Sequence, residues 1–212
     1  ADRYALMSCG ASIGENYGPV LVANRSLYPK ELEGKKIAVP GIHTTAYLLL
    51  RLFLSNFKEV VVPFDQILDK VRSGEVDAGL VIHEGQLTYK ELGFHKVADL
   101  GEWYFEMTKL PIPLGVDVIR KNLGKDVIRK VTKILKTSIE YGLDNREEAL
   151  KYAMKFGRGI ETPVADEFVG MYVNDYTVDM GKKGKEGLLT LRREAIEAGL
   201  IKDVAPVEWV QM

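Results

Sequence analysis

A histidine and a glutamate directly follow an apolar run of the chain. The run Ala78–Ile82 predicts a buried β-strand, and His83 and Glu84 come immediately after it. Gly85 then lets the backbone turn sharply. In open α/β sheets ligands bind at the carboxyl ends of the strands, and a histidine there can accept or donate a proton near neutral pH. We therefore predict that His83 is catalytic, as a general acid or base.

Both side chains also have a purely structural interpretation. The alternative for His83 is a histidine that only hydrogen-bonds the backbone at the end of its strand. Glu84 can orient the histidine, supply a proton or contact the substrate, or it can be an exposed turn residue. The sequence leaves both pairs of alternatives open.

Two threonines mark a second candidate site. Lys36–Val39 predicts a buried strand, Pro40 and Gly41 end it, and Thr44 and Thr45 then begin a helix. Free backbone N–H groups, the positive end of the helix dipole and two hydroxyls meet at such a start. We predict that it binds an anion, a carboxylate or a phosphate. The alternative is that Thr44 only caps the helix.

Composition restricts the class of protein. The chain has 212 residues, of which 46% are hydrophobic and 28% charged, as in an ordinary globular protein. A net charge of −1 and the lack of a basic tail give no reason to expect nucleic acid or a membrane surface as a partner. The single cysteine, Cys9, excludes an internal disulfide and a cysteine-based zinc site. No signal peptide or apolar run of transmembrane length is visible, and we expect a cytoplasmic protein.

Strands alternate with helices over the first half of the chain, and only helices follow. We predict strands at Arg3–Ser8, Pro19–Ala23, Lys36–Pro40, Glu59–Pro63, Ala78–Ile82, Lys96–Asp99 and Leu114–Arg120. Helices are predicted at Thr44–Ser55, Phe64–Ser73, Leu87–Leu92, Gly101–Thr108, from Lys125 to Leu143, and at Arg146–Phe156, Pro163–Met171 and Lys185–Ala198.

Two segments are typical of crossings between lobes. Gly18–Ala23 leads out of the first strand, and Leu110–Gly115 leads back after a self-contained βαβαβ unit. We therefore expect an α/β protein of two βαβ lobes with a central cleft, similar to type II periplasmic binding proteins, with helices at the C-terminus. Residues 1–22 and 110–212 would form the first lobe, N-terminally incomplete, and residues 23–109 the second. A doubly wound single-domain fold gives a similar alternation.

Several longer motifs carry a family resemblance over essentially the whole chain. The chain resembles the 1,4-dihydroxy-6-naphthoate synthases of the futalosine route to menaquinone. The matching segments are Ser12–Pro19, Val39–Leu49, Val76–Tyr89, Asp99–Trp103, Leu110–Gly115 and Met171–Thr177. The resemblance implies the type II binding-protein fold and a lyase that cleaves cyclic dehypoxanthine futalosine to the dihydroxynaphthoate. It implies neither a metal nor an organic cofactor.

The resemblance also implies roles for individual residues. A retro-aldol-type fragmentation needs a base to remove a hydroxyl proton, and His83 suits that role. The aromatic carboxylate of the substrate suits the helix start at Thr44 and Thr45. Ser8 and Gly10 follow the first strand and are candidates for the hinge and the substrate, although a tight turn is an equal alternative.

The chain departs from the family pattern at its start. Family members begin with several tens of further residues, including a turn of the form Ser-Pro-Cys-Pro-Asn-Asp, which does not occur here. A missing N-terminal segment and a second copy of the chain are therefore the macromolecular partners we consider. A non-catalytic binding protein for small carboxylates and the sister chorismate dehydratase are the functional alternatives.

Overall fold

The computed structural model describes residues 3–157, 159–202 and 206–210. Within these ranges the strands are β1 Tyr4–Leu6, β2 Ser12–Gly14, β3 Val20–Ala23, β4 Lys36–Val39, β5 Lys58–Val61, β6 Ala78–Val81, β7 His95–Asp99, β8 Ile112–Gly115 and β9 Val118–Arg120. The helices are α1 Thr45–Phe53, α2 Ile67–Arg72, α3 Gly85–Thr88, α4 Leu100–Thr108, α5 Lys125–Asp144, α6 Arg146–Ala153, α7 Thr162–Tyr172, α8 Asp175–Val178 and α9 Gly181–Glu197. None of the described helices is long and apolar enough to cross a membrane.

The chain divides into two compact units. The first unit comprises the described residues of Ala1–Gly14, Pro113–Leu191 and Lys202–Met212. The second comprises Glu15–Ile112 and Arg192–Ile201. Our lobe boundaries, between residues 22 and 23 and between residues 109 and 110, stay a prediction.

A five-stranded mixed sheet forms the centre of the second unit, in the order β5-β4-β6-β3-β7. Strand β4 is parallel to β5 and β6, and β3 is antiparallel to β6 and β7. Val20 at the start of β3 therefore pairs with both Val81 and Asp99, at the ends of β6 and β7. The carboxyl ends of β4, β5, β6 and β7 thus share one edge of the sheet, which we call the carboxyl edge.

Helix α2 covers one face of this sheet because a glycine leaves room for it. A Cβ on Gly79 of β6 would lie 2.5 Å from Cγ2 of Ile67 and 2.7 Å from Cγ2 of Val71. Both of these α2 side chains are fully buried in the same apolar cluster as Val20 and Val81. The apolar run that predicted β6 is therefore buried by a helix that approaches its backbone closely.

The first unit is built on a two-stranded antiparallel sheet of β1 and β9, in which Ala5 pairs with Ile119. The long helix α5 lies over it, since Ile128, Leu135 and Ile139 pack against the cluster that contains Ala5 and Ile119. Because these three positions recur at helical spacing, one face of α5 is apolar and meets the sheet.

Some short elements differ from our predictions. The strand predicted at Leu114–Arg120 is in fact two strands, β8 and β9, since residues 116 and 117 interrupt it and the Asp117 carbonyl accepts the Met7 N–H at 3.0 Å. The helix predicted at Leu87–Leu92 is the single turn α3, which begins earlier, at Gly85. Strand β2, which pairs with β8, and helix α8 were not predicted.

Candidate functional site

His83 lies two residues beyond the end of β6, at the carboxyl edge, and its side chain is only 14% exposed. The backbone N–H of Gly85 donates to Nδ1 of His83 at 3.0 Å. Oε2 of Glu84 lies 3.6 Å from the same nitrogen. Because an N–H group can only donate, Nδ1 accepts here, and the neutral imidazole carries its proton on Nε2. The backbone bond that we gave as a structural alternative thus exists, and it sets the tautomer.

The imidazole is also held in place by its neighbours. A Cβ on Gly85 would lie 2.7 Å from Cε1 of His83, so a side chain at this position would displace the ring. On another side the ring of Phe64, which follows β5, lies 5.8 Å from the imidazole, centroid to centroid. Gly85 therefore serves two purposes, since it turns the backbone and makes room for His83.

A buried glutamine, Gln86, fixes the turn that carries His83, and our sequence analysis gave it no role. Its Nε2 donates to the carbonyl of Gly18 at 3.0 Å and to the carbonyl of Val81 at 3.1 Å. Its backbone N–H donates to the His83 carbonyl at 2.8 Å. Gln86 thus joins the end of β6 to the segment that leads into β3. Its neighbours in the sequence are mostly polar, so no local pattern marks Gln86 as a buried residue.

Asp99 ends β7 at the same edge and begins α4. Its Oδ1 accepts the backbone N–H groups of Gly101, at 2.8 Å, and of Glu102, at 3.0 Å. Burial raises the pKa of the Asp99 carboxyl to about 6, although these two hydrogen bonds oppose the rise. A titratable carboxyl therefore lies at the carboxyl edge together with His83.

Thr44 and Thr45 begin α1, as the sequence predicts. Oγ1 of Thr44 accepts the Tyr47 N–H at 3.1 Å and donates to the Gly41 carbonyl at 2.8 Å, so Thr44 caps the helix. The half-buried Thr45 hydroxyl has no hydrogen-bond partner within the described part of the chain. The capping role is thus present at Thr44, whereas Thr45 keeps a hydroxyl that can bind a ligand.

The start of α1 lines a concavity of about 580 Å³ in the second unit. Its polar wall includes His43, Thr44, Thr45 and Arg51. Glu59 and Gly199 also line the concavity. The remaining lining residues are apolar: Ile42, Tyr47, Leu48, Leu200 and Ile201. His83 is not among these lining residues, although β4 and β6 are neighbours and end at the same edge.

Ser8 and Gly10 lie in the first unit. The buried Ser8 accepts the Met180 N–H on its carbonyl at 2.7 Å, and the Gly10 N–H donates to the Thr177 carbonyl at 2.8 Å. Gly10 has a φ of +84°, and a Cβ there would lie 2.0 Å from Oδ2 of Asp117. The chain bends at residues 8–10 and is joined there to distant segments, and the positive φ of Gly10 favours glycine. A role of Ser8 and Gly10 in substrate binding stays a prediction.

No group of three or more histidine, cysteine, aspartate or glutamate side chains that could hold a metal ion occurs in the described ranges. Proton transfer by His83 and anion binding at the start of α1 stay predictions.

The fold is that of the periplasmic binding proteins. A gene product of Candida albicans described as having the generic periplasmic binding protein fold superposes with a TM-score of 0.66 at 12% identity, over 100% of this chain and 75% of that chain.

Sequence comparison defines the family more narrowly. The family model described as menaquinone biosynthesis matches residues 1–197. A protein of Thermus thermophilus named 1,4-dihydroxy-6-naphtoate synthase is 41% identical over 199 residues, which is 94% of this chain and 72% of the relative. A crystal structure of a protein from Archaeoglobus fulgidus is 46% identical, with a TM-score of 0.90, over 94% of this chain and 75% of that chain. The chain belongs to the menaquinone biosynthesis family and is an enzyme.

Proposed function

We propose that this enzyme cleaves cyclic dehypoxanthine futalosine to 1,4-dihydroxy-6-naphthoate and that His83 is the general base. The observation that carries the proposal is the position of His83 at the carboxyl end of β6, with its ring fixed by Gly85 and Phe64. The product is the compound in the name of the Thermus thermophilus relative. A protein that only binds a carboxylate has no need of a fixed imidazole at this edge.

The reaction needs one proton removed and one returned. The base takes a proton from a hydroxyl of the substrate, and the hydroxyl oxygen becomes a carbonyl oxygen. The neighbouring carbon–carbon bond then breaks, its electron pair passes to the departing carbon, and that carbon takes up a proton. No oxidant or reductant is consumed. His83 supplies the acceptor for the first proton and, once protonated, a donor for the second.

The carboxylate of the substrate would bind at the start of α1. The backbone N–H groups of Thr45 and Ala46 are in the first turn, where no helical carbonyl can accept from them. The Thr45 hydroxyl and the positive end of the helix dipole add to the attraction of an anion. Thr44 contributes by fixing the end of the helix through its cap.

The test compares the wild-type enzyme with His83→Ala and His83→Gln. Each protein is incubated with cyclic dehypoxanthine futalosine while the absorbance of the naphthoate is followed, and product binding is measured by calorimetry. We expect turnover to fall about a hundredfold to ten-thousandfold, the usual contribution of a general base. Binding of the product should change much less.

His95→Gln is the matched control, because His95 is exposed and begins β7, at the opposite end of that strand from the carboxyl edge. Its turnover should equal that of the wild type. Wild-type turnover in His83→Ala would disprove the base assignment. Binding of the naphthoate without any turnover by the wild-type chain would indicate a carboxylate-binding protein, and turnover of chorismate instead would indicate the dehydratase.

A further inference from the structure

Two neighbouring groups compete for one nitrogen of His83. Nδ1 has a single position in the ring plane, which holds either a lone pair or a proton. The Gly85 N–H, 3.0 Å away, requires the lone pair. The carboxylate of Glu84, whose Oε2 is 3.6 Å away, requires the proton. The two interactions therefore belong to different tautomers of the same imidazole.

The tautomer inferred from the Gly85 bond cannot act as a base. With the Gly85 N–H on Nδ1, the lone pair of that nitrogen is occupied and Nε2 carries the ring proton. A neutral imidazole accepts a proton at Nε2 only when its own proton is on Nδ1. A carboxylate that accepts from Nδ1–H is the usual means by which proteins favour that form.

We propose that Glu84 is a positioning residue that selects the base-competent tautomer of His83. Shortening the Nδ1–Oε2 distance from 3.6 Å to about 2.8 Å would form a charge-assisted N–H···O bond of ordinary length. The Glu84 side chain is 37% exposed, so it can make this approach by rotation. A small rotation of the imidazole would at the same time take Nδ1 away from the Gly85 N–H, which would then donate to water or substrate. This inference rests on the proposed function of His83 as the base.

The tautomer can be observed directly, without substrate. The chain has three histidines, so long-range ¹⁵N–¹H correlation spectra of the labelled protein contain three imidazole patterns. Spectra of His43→Gln and His95→Gln assign the remaining pattern to His83. At a pH where the ring is neutral, we expect the wild type to show both tautomers in exchange and Glu84→Gln to show only the Nε2–H form. Identical His83 patterns in the two proteins would overturn the proposal.

Kinetics supply the second measurement. Glu84→Gln should lower kcat about a hundredfold, because the base-competent form is lost, and should leave KM nearly unchanged. Glu91→Gln is the matched control, since it removes the same charge from an exposed residue shortly after α3 and should leave both the spectrum and kcat unchanged. A rise in KM with kcat unchanged would assign Glu84 to substrate binding and overturn the proposal.

Results that would overturn the proposed function differ from results that would overturn only the role of Glu84. Wild-type turnover in His83→Gln would remove the base assignment and this inference with it, whatever Glu84→Gln does. Loss of turnover in His83→Gln, together with an unchanged tautomer and kcat in Glu84→Gln, would overturn only the role of Glu84.

Discussion

Gly101, in the first turn of α4, lies directly against the backbone of Gly18. A Cβ on Gly101 would be 2.3 Å from the Gly18 nitrogen and 2.0 Å from the carbonyl carbon of Tyr17. The Gly18 carbonyl also accepts the hydrogen bond from Gln86. These contacts therefore join three segments at the carboxyl edge: the start of α4, the segment before β3 and the turn that carries His83.

We expect Gly101→Ala to destabilise the protein by about 1–3 kcal/mol or more, because backbone atoms have to move to admit the methyl group. Urea unfolding measures the loss. Gly142→Ala is the control, since that α5 glycine has nothing within 4 Å of its missing Cβ. It should be neutral or more stable by up to about 1 kcal/mol, the helix propensity difference. Equal stability of the two variants would contradict the close approach at Gly101.

A methyl group at Gly85 tests the placement of the imidazole. Because a Cβ there would lie 2.7 Å from Cε1 of His83, Gly85→Ala should displace the imidazole from its observed position beside Phe64. We expect kcat to fall about tenfold or more, since general-base efficiency depends on hydrogen-bond geometry. The absorbance of the naphthoate measures it. A Gly85→Ala enzyme with full kcat would show that the observed ring position does not matter for turnover.

Thr45→Val separates anion binding from helix capping. We expect it to weaken binding of the naphthoate product by about 1–3 kcal/mol, the usual cost of one unpaired polar contact, without loss of folding. Thr44→Val should instead lower stability by about 0.5–2 kcal/mol, because it removes the cap of α1. Calorimetry and thermal unfolding of both variants decide. Unchanged affinity in Thr45→Val would leave Thr45 with a structural role only.

Asp99 should lower the stability of the protein as the pH rises, which is the reverse of the usual effect of a carboxyl group. Its pKa is raised from 3.8 to about 6 in the folded protein, so the folded state binds more protons at this residue between these values. Its contribution to stability therefore falls as pH rises through that window. Asp99→Asn keeps an oxygen that can cap α4 but cannot ionise. The variant should gain stability relative to the wild type from about pH 4 to about pH 7. Urea unfolding measures the free energy of unfolding of both proteins at each pH. A difference between them that stays constant across this range would contradict the raised pKa.

The sequence predicts the core strands of the second unit well because their signals are local. Residues 37–39 and 78–82 are apolar runs, ended by Pro40 and by His83. Strand β2 has three residues, too few to show a period, and its pairing with β8 depends on a segment about a hundred residues away. Predictions of such short elements need the tertiary fold.

In the candidate site, too, some residues are predictable from local patterns and others depend on the tertiary fold. His83 and Thr44 are predictable because each follows a strand or begins a helix, which the local pattern indicates. The Gln86 bond to Gly18 joins residues 68 positions apart, and no local pattern encodes it. The Gly85 bond to His83 spans two residues, but it depends on the side-chain rotamer and not on the pattern of residue types.

Labelling of the fully buried Cys9 thiol can measure local opening in the first unit. Its Sγ donates to the Thr132 carbonyl at 3.8 Å, and burial raises the pKa of the thiol, so the native protein should react slowly with thiol reagents. The chain has one cysteine, so every labelling event reports an opening around β1 and α5. Labelling rates with and without the naphthoate would measure how strongly a ligand restrains those openings, without a spectroscopic tag.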